Sequence, residues 1–193
     1  MIGTSTDETP AERFARRAQD LFATVDAVAP DRWDDPSPCE GWTVRDVARH
    51  VVDVQGTFAG FVDRELQPFA SVDDDPAQAV RSSVSQVLAL LEDPEVAQQP
   101  HTGVFGASTF EATTDRFASV DLVIHRWDLG TGAGVPVALD ERDVAACLAD
   151  VDALPPDLRE MMRTAGAFGP ELTPPEGADA QTRLLATLGR KAW

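Results

Sequence analysis

Two histidines and one aspartate offer the clearest chemistry in this chain of 193 residues. Asp121 and His125 are four residues apart in one apolar stretch with helical periodicity, and His50 lies in an earlier one. Because side chains at positions i and i+4 of a helix lie one above the other, Asp121 and His125 can face the same ion. Two imidazoles and a carboxylate suit a divalent metal and leave coordination positions open for water or substrate. The pattern therefore indicates a metal site of the catalytic type.

The same residues also allow a structural interpretation. Buried polar side chains are normally hydrogen-bonded, so both histidines could be core residues, with Asp121 paired to one of them. The residues alone leave these two interpretations about evenly balanced. Asp128 lies one turn beyond His125 and could orient its imidazole, as carboxylates often do for metal-bound histidines. A helix-end carboxylate bonded to the backbone or to an arginine is the alternative for Asp128.

Other reactive side chains give weaker signals. Cys39 precedes the cap of a predicted helix whereas the nearest histidine lies deep inside that helix, so a catalytic cysteine–histidine pair is not expected. His101 lies in a glycine-containing loop and is expected at the surface or at a rim. Residues 130–134 superficially resemble a phosphate-binding loop, but they follow a helix, so we interpret them as its C-cap and turn. Trp42 and Trp127 are expected to be core or pocket-wall aromatics.

Composition narrows the classes of partner and compartment. The chain has 16 Lys and Arg against 33 Asp and Glu, a formal net charge of −17. A field of that sign repels nucleic acid and anionic membranes, so neither is expected as a partner. The first residues carry no apolar run of the signal-peptide kind, and no segment has the length of a membrane span. With only Cys39 and Cys147, no disulfide framework is expected, and a reducing cytoplasm is the expected location.

Apolar periodicity predicts four helices of bundle length. They are bounded by capping boxes, prolines and glycines, and are expected from Pro10 to about Val28, from Thr43 to about Leu66, from Pro76 to about Asp93, and from the Ser108 cap to Gly130. His50 falls on the stripe of the second helix that faces the core. Residues 94–108 are expected to form a loop, with a short strand around Val104-Phe105.

The remaining residues predict further helices, from Asp140 to Asp152 and around 178–188, separated by a proline-punctuated stretch with Met161 and Met162. Long amphipathic helices with little or no strand signal indicate an all-α four-helix bundle. We expect residues 1–193 to form a single domain. In it, about 10–133 form the metal-binding bundle and about 134–193 form a C-terminal helical appendix.

Two motifs carry a resemblance to a known family. They read CEGWTVRDVARH at 39–50 and DLVIHRWDL at 121–129. With the pattern of the first helix, the Phe168-Gly169-Pro170 segment and the closing Leu188-Gly189-Arg190, they resemble actinobacterial metal-binding proteins. These proteins are related to the N-terminal domain of mycothiol-dependent maleylpyruvate isomerase, within the DinB-like four-helix bundles.

The resemblance implies a bundle in which His50, Asp121 and His125 bind zinc, with nickel or iron as alternatives, and in which mycothiol is a candidate cosubstrate. The isomerase resemblance places Glu at the position of Asp121, and the shorter side chain leaves the metal and its coordination mode open. The isomerase also has a further C-terminal domain, so its own activity does not transfer to this chain.

Three functions follow from these expectations. The first is a metal-dependent transferase or isomerase that uses a low-molecular-weight thiol against an electrophilic substrate. The second is metal-dependent hydrolysis at the same open site. The third is a metal-binding or small-ligand-binding protein without catalysis. In each case the protein is expected to be a monomer or a homodimer.

Overall fold

The computed structural model describes residues 8–103, 106–164 and 166–193. The strand expected at Val104-Phe105 lies outside the described residues. The described helices and strands are α1 (Pro10–Asp26), α2 (Val44–Gly60), α3 (Pro76–Glu92), α4 (Pro94–Ala97), β1 (Pro100–Gly103), β2 (Gly106–Thr109), α5 (Phe110–Thr113), a π-helical turn (Thr114–Ala118), α6 (Ser119–Ala133), α7 (Glu141–Ala153), α8 (Pro156–Thr164) and α9 (Ala180–Thr187). The predicted all-α bundle with little strand is confirmed, since β1 and β2 form only a two-stranded antiparallel hairpin.

Side-chain caps fix where the long helices begin. The Thr9 side chain accepts a hydrogen bond from the Glu12 amide, and the Glu12 carboxylate accepts one from the Thr9 amide. Thr43 and Asp46 form the same reciprocal box at the start of α2. Each box satisfies amide groups that the first helical turn leaves without partners.

The second helix is shorter than its apolar stripe suggested. It ends at Gly60 rather than near Leu66. Asp63 adopts the left-handed conformation with φ of 54°, which a right-handed helix cannot accommodate. The apolar residues that continue the pattern therefore belong to a turn.

The fourth helix begins later and ends later than its sequence signals indicated. Thr109, not Ser108, is the N-cap, since its hydroxyl accepts from the Ala112 amide. The helix continues through Gly130 to Ala133 and is capped by Gly134 at φ of 74°. Gly132 is required by packing, because a Cβ there would lie 2.8 Å from a methyl of Val44. Residues 130–134 are thus mostly helix, with only the final glycine acting as the C-cap.

Helices α1, α2, α3 and the fourth helix (α5, the π turn and α6) form the bundle. Helix α1 packs against α3 and α6, and α2 packs against the same two helices. One apolar core fills the space between them, and its largest fully buried side chains include Phe14, Leu21, Val47, Val51, Phe110 and Leu122. The arrangement places His50 of α2 opposite Asp121 and His125 of α6.

We call residues 134–193 the appendix. Its described residues pack on the side of α6 that faces away from the core of the bundle. Val123, Ile124 and Trp127 of that helix join a second apolar core with side chains of α7, α9 and their flanking segments. Leu122 and Leu129 of the same helix belong to the core of the bundle. Helix α6 is therefore buried between two cores, which explains why its sequence is apolar on nearly every side.

An ion-pair cluster joins the two regions. Asp143 of α7 accepts hydrogen bonds from Arg16 at 2.7 Å and from Arg17 at 2.8 Å, both in α1. Arg17 also donates to the Ser119 hydroxyl at the start of α6.

Among the described residues, no helix is both long and apolar enough to cross a membrane.

Candidate metal centre

The structure brings together the three residues proposed as metal ligands. Asp121 Oδ1 lies 3.4 Å from His50 Nε2 and 3.3 Å from His125 Nε2. The two imidazole rings are 4.7 Å apart between centroids and nearly perpendicular. All three ligand atoms lie within 4.8 Å of one another. Two helices therefore direct two nitrogens and one carboxylate oxygen toward a common point.

These distances suit a small divalent ion. Zinc binds histidine nitrogen and carboxylate oxygen at about 2.0–2.2 Å, so in a tetrahedral shell neighbouring ligand atoms are about 3.4 Å apart. The two measured N···O separations agree with that value. Asp121 Oδ2 is buried and has no hydrogen-bond partner among the described residues. An orphaned buried carboxylate oxygen is costly unless a cation satisfies it, so the donor set fits a metal ion.

Asp128 prepares His125 for this role. Its Oδ2 lies 2.9 Å from His125 Nδ1, and because a carboxylate only accepts, we assign the proton to Nδ1. In the neutral ring the lone pair is then on Nε2, which faces Asp121. Two lone pairs cannot face each other at 3.3 Å without a cation between them. A proton or a metal ion is therefore required between Asp121 and His125.

The electrostatics of the site agree with this geometry. Burial opposes ionisation of Asp121, but the charge and hydrogen bonding of His125, with a contribution from His50, hold its pKa well below the usual range. Burial likewise disfavours charged His125, yet Asp121 and then Asp128 raise its pKa well above the usual value. The pKa of buried Asp128 is lowered to about 2, because hydrogen bonding to His125 and the charge of Arg190 outweigh its desolvation. In the absence of metal, a proton is thus retained at the position where a cation would bind.

A second group of candidate ligands shares His125. Cys39 Sγ, His125 and Asp128 also have donor atoms within 4.8 Å of one another. Arg190, however, donates to both carboxylate oxygens of Asp128, at 3.2 and 2.9 Å, and its Nη2 lies 3.5 Å from Cys39 Sγ. A guanidinium at these distances already neutralises the carboxylate and repels a second cation. The side of His50 and Asp121 is therefore the better candidate for a cation.

The two sides of the centre differ in exposure. The His50 side chain is 34% exposed and is in contact with Trp42, itself 37% exposed, with 5.3 Å between the ring centroids. The helical stripe of α2 predicted that His50 faces the core. In the structure His50 lies at the margin of the core instead. His125 and Asp128 are buried. The centre is therefore open on one side and enclosed on the other.

His101 and Trp127 lie outside the candidate metal centre, whereas Trp42 borders it. His101 lies in β1, where its Nε2 is 2.8 Å from the Thr113 hydroxyl and its ring stacks on Phe61. It belongs to neither ligand group. Trp127 is buried in the second apolar core, so of the two tryptophans only Trp42 borders the centre.

Sequence reasoning missed three contributors. Cys39 reaches Asp128 at 3.3 Å from a connector, and Arg190 arrives from the end of the chain. The third is the π turn, one turn before Asp121, and π turns frequently occur at functional sites. A signal for it exists: Phe110, Thr114, Ala118 and Leu122 are fully buried at four-residue spacing. In a regular helix, residues four positions apart are rotated by about 40° relative to each other, so a run at this spacing moves off the face of the core. A wider turn keeps the four side chains on that face.

Comparisons with known proteins identify the family of this chain. The family model described as "Mycothiol maleylpyruvate isomerase N-terminal domain" matches residues 14–130, a span that includes all three proposed ligands. Two relatives, the uncharacterized proteins MT0763 and Rv0738 from two strains of Mycobacterium tuberculosis, are each 27% identical over 179 residues, covering 91% of this chain and 94% of the relative. No solved structure gives a significant match. The chain belongs to the mycothiol maleylpyruvate isomerase N-terminal domain family.

Proposed function

We propose that this protein is a divalent-metal-dependent enzyme that uses a low-molecular-weight thiol, such as mycothiol, in a transferase or isomerase reaction. The observation that carries the proposal is the convergence of His50, Asp121 and His125 within 4.8 Å. Membership of a family named for mycothiol chemistry supports the choice of a thiol. Zinc is the expected metal, with nickel or iron as alternatives, because imidazole and carboxylate donors accept all three.

Each residue has a distinct role in this proposal. His50 and His125 provide neutral nitrogen donors, and Asp121 provides the negative charge that lowers the net charge of the bound cation. Asp128 keeps the proton of His125 on Nδ1 and so keeps Nε2 available. Three protein ligands leave one position of a tetrahedral shell open. A divalent ion bound there lowers the pKa of a thiol or water in that position and favours its nucleophilic form at neutral pH.

The open side of the centre gives the thiol a route to this position. His50 and Trp42 are partly exposed there, whereas Asp128, Cys39 and Arg190 occupy the opposite side of the His125 ring. Thiols that cells accumulate are polar molecules, which suits an approach from solvent. The second substrate in this proposal is a small electrophile.

Metal binding is tested by titrating zinc into the purified protein and into three alanine variants. Asp121→Ala and His125→Ala should each weaken zinc binding by more than about 100-fold, because losses of that size already follow from outer-shell changes. His101→Ala is the matched control and should bind like the unmodified protein, since His101 bonds Thr113 instead. Equal losses in all three variants would show that the ligands are wrongly assigned.

Use of the thiol is tested with cobalt-substituted protein. A small thiol should produce a sulfur-to-cobalt charge-transfer band that titrates with thiol concentration and is absent in His50→Ala. Turnover of a chromogenic thiol acceptor should then require both metal and thiol. Hydrolysis without thiol would favour the hydrolase instead, and an unchanged cobalt spectrum would contradict direct thiol activation.

A further inference from the structure

A cavity of about 240 Å³ lies beside the metal centre, where the bundle meets the appendix. Asp121, His125 and Arg190 are its buried or partly buried polar lining residues. Its apolar walls come from α2, the fourth helix, α7 and the segment after α8, and include Val54, Phe58, Phe117, Val151, Leu154 and Phe168. One end of the cavity therefore borders the proposed ligands, while most of its wall is apolar.

The buried charges of this lining already have partners. Arg190 is bonded to both oxygens of Asp128, and Asp121 lies against two histidines. The other charged lining residues, Arg116 and Asp150, are exposed and so belong to the rim. Away from the proposed metal ion, the buried part of the described lining thus offers a ligand no unpaired charge, and a charged group buried there would lose hydration without compensation.

The size of the cavity limits what it can hold. Pockets for drug-sized ligands begin at about 300 Å³. The cavity therefore suits a small molecule, and its walls do not suit the polar body of a cellular thiol.

We infer that this cavity binds the apolar body of a small, uncharged electrophile and presents its reactive carbon to the metal centre. The inference rests on the proposed function, in which the thiol approaches from the side of His50 and Trp42. An α,β-unsaturated ester represents the chemical class. The electrophile and the thiol then reach the centre from different sides, so neither must leave before the other binds.

The reaction of such a pair balances without an oxidant or reductant. The thiol loses its proton to solvent, and the sulfur lone pair forms a bond to the β-carbon of the ester. The π electrons of the alkene move toward the carbonyl oxygen, and a proton from solvent ends on the α-carbon. The product is a thioether, the sum of thiol and ester.

The cavity also distinguishes this protein from an isomerase of maleylpyruvate. Maleylpyruvate is a dicarboxylate and requires cationic partners for two charges. Here the proposed metal could accept one carboxylate, but the one buried guanidinium of the described lining, that of Arg190, is occupied by Asp128. The inferred substrates therefore carry no charge on the part that lies in the cavity.

The test is a binding series on the zinc-loaded full chain without thiol. The probes are the methyl, ethyl, propyl and butyl esters of crotonic acid, measured by ligand-detected NMR titration. Each added methylene should tighten binding about fourfold, the ratio expected for its burial, until the cavity is full. The variant Val54→Phe, which fills part of the cavity, should stop this gain at a shorter ester.

Val52→Phe is the matched control, since Val52 is also a half-buried valine of α2 but does not line the cavity. It should keep the full gain with ester length. Affinity that does not change along the series, or a gain that Val54→Phe leaves intact, would overturn the inference. So would tighter binding of fumarate than of ethyl crotonate.

The binding series separates this inference from the proposed function. If the gain with ester length is found but no thiol adduct forms, the cavity assignment stands and the thiol reaction fails. If thiol-dependent turnover is found with no dependence on ester length, the reaction stands and the cavity assignment fails. The series in the unmodified protein decides the question even if Val54→Phe does not fold.

Discussion

The bundle and the appendix contribute different things to the same centre. The bundle provides the three proposed ligands from α2 and α6, and the match to the family lies within it. The appendix provides Arg190 behind His125 and much of the apolar wall of the cavity. The proposed ligands thus come from the bundle alone, whereas part of their surroundings comes from the appendix. Substrate choice in this arrangement can change through the appendix while the ligands stay fixed.

Removing the appendix tests whether the bundle is independent of it. A chain that ends at Gly134 keeps all three ligands but uncovers Val123, Ile124 and Trp127. We expect it to associate and to lose its cooperative thermal transition, because a contiguous apolar surface of this kind promotes aggregation. Circular dichroism melting and light scattering measure both effects. A monomeric truncated chain that binds zinc like the full protein would show that the appendix is dispensable.

The ion-pair cluster between the regions should be the strongest single polar connection. Burial raises the pKa of Asp143, but the hydrogen bond from Arg16 and the charge of Arg17 outweigh it and lower the pKa overall. Asp143→Asn should therefore cost about 3 kcal/mol of unfolding free energy at neutral pH, as for other buried pairs that lose one partner. Denaturant titration of the apo protein measures this loss.

The pH dependence of that loss has a definite sign. A carboxylate with a lowered pKa in the folded state stabilises the fold above its unfolded pKa of about 3.9, and the contribution fades as pH falls below that value. The difference in free energy of unfolding between Asp143→Asn and the unmodified protein should therefore shrink as the pH falls below about 3.9. Asp152→Asn, an exposed change in the same helix, should have almost no effect on the free energy of unfolding, above or below that pKa. A constant difference across this range would point to packing rather than charge.

Arg190 tests whether the appendix tunes the metal centre. Arg190→Met removes the guanidinium that holds both oxygens of Asp128, so Asp128 orients His125 less firmly. Zinc affinity should fall about 10- to 100-fold, the usual effect of losing an outer-shell partner. Arg190→Lys should recover part of the loss, and Lys191→Met, at the exposed neighbour, should cause none. Unchanged affinity in Arg190→Met would confine the metal centre to the bundle.

The smallest effect is expected at a buried glutamine of the bundle. Gln55 is fully buried in α2, and neither its amide nitrogen nor its amide oxygen has a hydrogen-bond partner among the described residues. Gln55→Met should raise the unfolding free energy by about 1 kcal/mol, since an unsatisfied buried polar group is removed. Gln78→Met, at an exposed position of α3, is the control. Destabilisation by Gln55→Met would instead assign that amide a partner.

Local patterns predicted the bundle and the proposed ligand set. Capping boxes at Thr9 and Thr43 placed two helix starts, and four-residue spacing placed Asp121 and His125 on one face. These features depend on residues close in sequence, where helix geometry is regular. The family resemblance is confirmed by the match over residues 14–130, whereas the assignment of the ligands remains a prediction.

What could not be predicted depends on long-range packing. Arg190 lies 62 residues after Asp128, and no local pattern relates a C-terminal arginine to a carboxylate in α6. The connector brings Cys39 to Asp128, a contact that their separation of 89 residues along the chain does not indicate. The need for glycine at position 132 follows from the close approach of Val44, which only the folded chain reveals.

The π turn at Thr114–Ala118 has a consequence for insertions and deletions. Deleting one residue there would restore regular helical hydrogen bonds, but it would also rotate everything downstream by about 100° and shift it by about 1.5 Å. Asp121 and His125 would then turn away from His50 unless Phe110 gave up its place in the core. An alignment gap at this turn in any relative would therefore mark a protein in which the three proposed ligands no longer converge in this way.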